Sequence, residues 1–133
     1  RAFSKGLELE PTNTDAKIML ASTYVDSGSD PMKGISILRE IEKVDSNNVK
    51  LQLSFAFFSL RSGQLDKAIA RFKKVLVIDP SYIEAYIRLA EVYEQQGNKE
   101  GTIEMLELYA SKTEDATART EIEQVIKQLK ETN

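Results

Sequence analysis

The segment LDKAIARFKKVLVIDP, residues 65–80, carries Ala68, Ile69, Phe72, Val75 and Leu76 at positions i, i+1, i+4, i+7 and i+8. That spacing puts them on one side of an α-helix. Pro80 closes the helix, because proline cannot continue it and restrains the residue before it. The same pattern recurs on both sides of the segment. Gly28, Gly63 and Gly97 lie 35 and 34 residues apart. Gly34, Ala68 and Thr102 are spaced by 34 and 34, as are Leu38, Phe72 and Leu106. Ala21, Ala56 and Ala90 are spaced by 35 and 34. Four landmarks with one period define an internal repeat. The extra residue falls in GSDPMKG as against GQLDKA, in a turn, where an insertion costs little.

Each copy reads as two helices. The first carries Leu20, Ala21 and Tyr24, then Phe55 and Ala56, then Tyr86, Leu89, Ala90 and Tyr93. A glycine follows, as expected where the chain leaves a helix in the left-handed conformation. The second carries Ile35, Leu38 and Ile41, then the 65–80 set, then Ile103, Leu106 and Tyr109. Asp30 before Pro31 predicts an N-cap followed by proline in the first turn. One such pair cannot bury both of its faces, whereas stacked copies bury each other.

A period of 34 with a mid-unit glycine, small residues at the helix crossing and a closing proline resembles the tetratricopeptide repeat. Leu20, Phe55 and Leu89 match the large position of the first helix, and Ala21, Ala56 and Ala90 its small one. Gly34 and Ala68 match the small position of the second helix, and Phe72 its aromatic. Ser59 and Thr102 depart from the pattern. The tryptophan-type position is filled by Lys17, Gln52 and Tyr86. The resemblance implies an all-α solenoid of antiparallel helix pairs in a right-handed superhelix. The expected organisation is the second helix of a truncated preceding repeat at 1–11, repeats at 12–46, 47–80 and 81–113, and a capping helix at 114–133. RAFSKGLELEP (1–11) aligns with ARFKKVLVIDP (70–80). The last segment opens with a threonine cap and carries Ile122, Val125, Ile126 and Leu129 on a narrow apolar stripe.

Composition narrows the function. The chain has 133 residues, a net charge of −3, and no Cys, His or Trp. Disulfides, thiolate chemistry and triads built on His or Cys are therefore excluded. No apolar run approaches the roughly 20 residues that span a bilayer, and no stretch of these residues reads as a signal peptide. The chain starts at Arg1, which suggests a piece of a longer protein. The wording of SGQLDKAIARF and DSNNV is similar to bacterial members of the family, and the expected setting is the bacterial cytoplasm or a soluble part of a membrane-tethered protein. No cofactor, metal or catalytic group is expected. Glu84, Glu91 and Glu94 read as solvated carboxylates.

In the family that this chain resembles, the first helices line a concave groove that takes peptides or helices. The matching positions are Asp15, Ile18, Ser22, Val25 and Asp26; Lys50, Leu53, Phe57, Leu60 and Arg61; and Glu84, Ile87, Glu91, Glu94 and Gln95. Their spacing keeps each set on one helical face. VKLQLSFAFFSL (49–60) is apolar almost all round, which marks a helix covered on every side. Stacking accounts for Leu51, Phe55, Ala56 and Phe58. Leu53, Phe57 and Leu60 remain, either as a docking strip or as a surface covered by the capping helix, a preceding repeat or a second copy. The family's two-carboxylate clamp would need basic residues at Ile18, Ser22, Leu53, Phe57, Ile87 and Glu91, and none is basic. Residues 47–80 hold six Lys/Arg against two Asp, whereas 81–110 hold six Glu against two basic residues. Without an aromatic stacking platform the basic stretch does not suggest nucleic acid. The expected role is a non-catalytic module for a protein or peptide partner, with Lys50, Arg61, Glu91 and Glu94 setting selectivity. The alternative is self-association, or a spacer within a longer multi-repeat protein.

Overall fold

The computed structural model describes residues 13–132. Among these, seven helices follow one another: α1 (Asn13–Ser27), α2 (Pro31–Val44), α3 (Val49–Arg61), α4 (Leu65–Ile78), α5 (Glu84–Gln95), α6 (Lys99–Lys112) and α7 (Ala116–Glu131). They pair as α1/α2, α3/α4 and α5/α6, and the pairs stack in chain order, with α7 packed on α6. The helix expected within 1–11 lies outside the described residues.

Local chemistry sets the helix ends. Gly28, Gly63 and Gly97 follow α1, α3 and α5 with φ of 71°, 78° and 75°, the left-handed exit that glycine adopts without a steric penalty. Asp30, Asn48, Asn98 and Asp115 cap α2, α3, α6 and α7, each side chain accepting a hydrogen bond from a backbone N–H three residues on. The last case corrects the sequence reading. The cap of α7 is Asp115, not a threonine. Thr113 is buried, and its hydroxyl accepts from the Asp115 N–H instead. Arg119 then donates to the carbonyls of Ala110 and Thr113, satisfying acceptors at the open end of α6.

The core forms two clusters. One gathers Ile18, Ala21, Ile35, Leu38, Ile41, Leu51 and Phe55; the other gathers Ala56, Ala68, Phe72, Leu89, Ala90, Val92, Met105, Leu106 and Ile126. Helix α3 supplies both, Leu51 and Phe55 to the first and Ala56 to the second. Its apolar circumference follows from that position between two helix pairs. Leu20 departs from the expected packing: it is exposed, and Ile18, Ala21 and Val25 bury the inner face of α1. On α7, Ile126 is buried and Ile122 and Leu129 pack beside it, but Val125 is exposed.

The α1/α2 crossing depends on Gly34. A Cβ there would stand 2.6 Å from the Ala21 carbonyl oxygen and 2.9 Å from Val25 Cγ2. Alanine normally favours a helix interior by about 1 kcal/mol over glycine. Here the backbone oxygen cannot yield without separating the helices, so Gly34→Ala is expected to destabilise the first pair by about 1–2 kcal/mol. Urea unfolding followed by circular dichroism measures it, and an unchanged or raised midpoint would contradict the crossing.

Candidate functional site

α1 packs beside α3 with their inner faces side by side, whereas α5 reaches the second pair mainly through α4. A cleft of about 440 Å³ therefore opens between α1 and α3 and does not extend to α5. Ile18, Ser22, Val25, Lys50, Leu53 and Phe57 line it, together with Asp15 and Asp26. Ile18 and Val25 are buried and form its floor, Leu53 is half-buried, and Phe57 and Met19 stand at its mouth, 39% and 71% exposed.

The remaining expected site residues lie elsewhere. Leu60 and Ile87 are half-buried against the second core cluster. Arg61 reaches across to Asp26. Glu91 pairs with Arg88, which also pairs with Glu84. Glu94 borders a separate small hollow with Lys99 and Thr132, toward α7. Among the described helices, α7 packs on α6 alone and does not cover α3. Sequence reasoning missed Met19, Ser54 and Phe58 on the cleft walls. Met19 was within reach, since it lies four residues after Asp15 and three before Ser22, on the same helical face.

The cleft is apolar in the middle and charged at both ends. At one end Lys50 Nζ lies 3.0 Å from Asp15 Oδ2; at the other Arg61 Nη1 lies 3.7 Å from Asp26 Oδ1. These pairs join α1 to α3, and their members are more than half exposed. Exposed pairs contribute about 0–1 kcal/mol each. Between them the Ser22 and Ser54 hydroxyls meet at 3.4 Å. On the far side of Phe57 its ring meets Phe72 edge-on at 5.6 Å between centroids, and the Arg88 guanidinium lies 5.7 Å from it. The face left to a ligand is therefore carbon-rich, and its nearby charges are already neutralised.

A second polar centre lies where α2, α3 and α4 meet. Gln52 is fully buried. Its amide donates to the Ser46 carbonyl at 2.8 Å and to Glu42, and its carbonyl oxygen accepts from Arg71 at 2.9 Å. Arg71 also pairs with Glu42 and lies 4.0 Å over the Phe55 ring. Burial pushes the Glu42 carboxyl up, but hydrogen bonds from Arg71 and Gln52, with the charges of Arg71 and Lys74, outweigh it and hold it below its ordinary value.

Stacked antiparallel helix pairs with one inner cleft define an α-solenoid of short helical repeats. A family model described as a TPR (tetratricopeptide) repeat matches residues 60–97, from the end of α3 through α4 and α5, and the repeat spacing and helix pairing of the rest of the array are of the same kind. The chain is 26% identical to the TPR repeat-containing protein YpiA of Bacillus subtilis, over 88% of its own length and 29% of the relative's. It thus spans under a third of that curated relative. Among solved structures it resembles the type III secretion translocator chaperone SycD of Yersinia enterocolitica, with a TM-score of 0.72 and 19% identity over 93% of this chain and 88% of that one. It also resembles MamA, with a TM-score of 0.69 and 23% identity over 98% and 84% of the two chains. At these identities the structural neighbours establish the fold. In general terms the array is a protein-interaction module. Among the described residues no helix is long and apolar enough to cross a membrane.

Proposed function

We propose that the chain is a non-catalytic binding module that holds an apolar segment of a protein partner in the cleft between α1 and α3. The carrying observation is the pairing of Met19 and Phe57, exposed at the mouth, with a floor of Ile18, Val25 and Leu53 between two neutralised ends. A partner gains most there by burying aliphatic or aromatic side chains, at about 25 cal/mol per Å² of apolar surface. A bare carboxylate gains little, because the cationic ends are already paired. Leu60, Ile87, Glu91 and Glu94 would then meet only the trailing part of a longer segment.

A second reading is self-association or stacking on a further repeat. Leu20 and Val44 favour it, since both are exposed around one hollow at the N-terminal side of the α1/α2 pair. One experiment separates the two. A photo-crosslinking benzoylphenylalanine at Met19, in cells, is expected to trap a protein other than this chain, and Phe57→Glu is expected to abolish the product. A product that is solely a dimer of the chain would select self-association. No product at Met19, with a crosslink from Val44, would overturn the cleft.

A further inference from the structure

On the side of α3 turned away from the cleft, a hollow of about 340 Å³ lies between α2 and α4 and shares only Phe58 with the cleft. Three cationic side chains line it, Arg39, Lys67 and Arg71, and no carboxylate does. Arg39 and Lys67 are exposed, and neither takes part in an ion pair among the described residues. Arg71 is held over Phe55, with one guanidinium nitrogen committed to Glu42 and Gln52. Phe55 and Phe58 make part of the wall apolar. The Gln64 side chain makes no cap hydrogen bond to α4, so its amide is free to turn inward.

From this geometry we infer a second docking site, which takes the carboxylate side chains of an acidic protein segment with apolar flanks. Cations spread around a partly aromatic hollow suit a carboxylate carried on methylenes, whose stem packs on Phe58 while its oxygens meet Arg39 and Lys67. A small, fully hydrated anion would leave the aromatic wall unused. Lys74, three residues after Arg71 on the same face of α4 and in no ion pair among the described residues, adds to this field and would speed encounter with an acidic partner. The site shares only Phe58 with the cleft, so one chain can hold two segments, one apolar and one acidic, on opposite sides of α3.

The test titrates the 133-residue chain with an N-acetylated, C-amidated peptide of alternating glutamate and leucine, followed by amide NMR. The controls are the same peptide with glutamine for glutamate, and inorganic phosphate. The glutamate peptide is expected to shift the amides of Ser59, Gln64 and Ala70. Its affinity is expected to fall at least fivefold in Arg39→Gln/Lys67→Gln, whose exposed positions leave the helices intact, as circular dichroism will show. Phe57→Glu in the cleft should leave this affinity unchanged. Equal binding of the glutamine peptide, equal binding of phosphate alone, or no loss in the double variant would overturn the site. Loss on Phe57→Glu with none in the double variant would place the peptide in the cleft instead, and so would separate failure of this site from failure of the cleft.

Discussion

Phe72→Ala is expected to lower stability by about 3–5 kcal/mol, the cost typical of emptying a buried aromatic site. Phe72 is fully buried in the second core cluster, with Ala56 of α3, Ala68 of its own helix, and Leu89 and Ala90 of α5. Ala56, Ala68 and Ala90 are too short to reach into the void, so part of it will remain open. The loss is a large share of the roughly 5–15 kcal/mol available to a domain. It also reaches the cleft, because Phe57 rests edge-on against Phe72. Native-state hydrogen exchange should show protection falling together in α3, α4 and α5, and less in α1 and α2, since each repeat is stabilised chiefly by its neighbours. Phe57→Ala, with its ring already part exposed, should cost far less while affecting the cleft directly. Uniform loss of protection over all seven helices would show a single cooperative core in place of the two clusters.

Much of this core was legible because packing in a repeat array recurs at a fixed interval. The landmarks Ala21, Ala56 and Ala90, and Leu38, Phe72 and Leu106, are all buried. The period says which positions recur, but not what each copy meets. Leu20 matches Phe55 and Leu89 by register, yet the latter two are buried and Leu20 is exposed. In α3 and α5 that position faces a preceding helix pair. In α1 it borders a hollow with Lys17, Ile37 and Val44, and the segment before it lies outside the described residues. The same limit applies to the cleft. One helical face predicts that Ile18, Leu53 and Ile87 line up, but the α1–α3 approach is closer than the α3–α5 one, so the cleft ends before Ile87. The ion pairs were implicit in the period, since Asp15–Lys50 and Asp26–Arg61 each span 35 residues. The Glu42–Gln52–Arg71 centre was not. Its members come from three helices; only Gln52 sits at a repeat position, where it departs from the pattern, and only the tertiary approach makes a glutamine at a tryptophan-type position an asset.

That centre carries the second large effect. Arg71→Ala is expected to cost about 2–3 kcal/mol at neutral pH. The variant leaves the half-buried Glu42 carboxylate without its guanidinium and the fully buried Gln52 carbonyl oxygen without its donor, and it uncovers the Phe55 ring. Arg71→Lys should fall between, because an ammonium keeps the charge but not the planar fork or the stacking. Acid supplies an independent check. Glu42 titrates below its ordinary value in the folded chain, so its contribution is complete above the unfolded carboxylate value of about 4.3. It is lost as pH falls from there through the folded value, where protonation of Glu42 removes the ion pair. The stability gap between wild type and Arg71→Ala should therefore narrow over that interval, leaving the part due to Gln52 and Phe55. Urea midpoints across this range measure the gap. A gap that stays constant with pH would mean that Arg71 acts through packing alone, and that the charge of Glu42 does not help hold the first two helix pairs together.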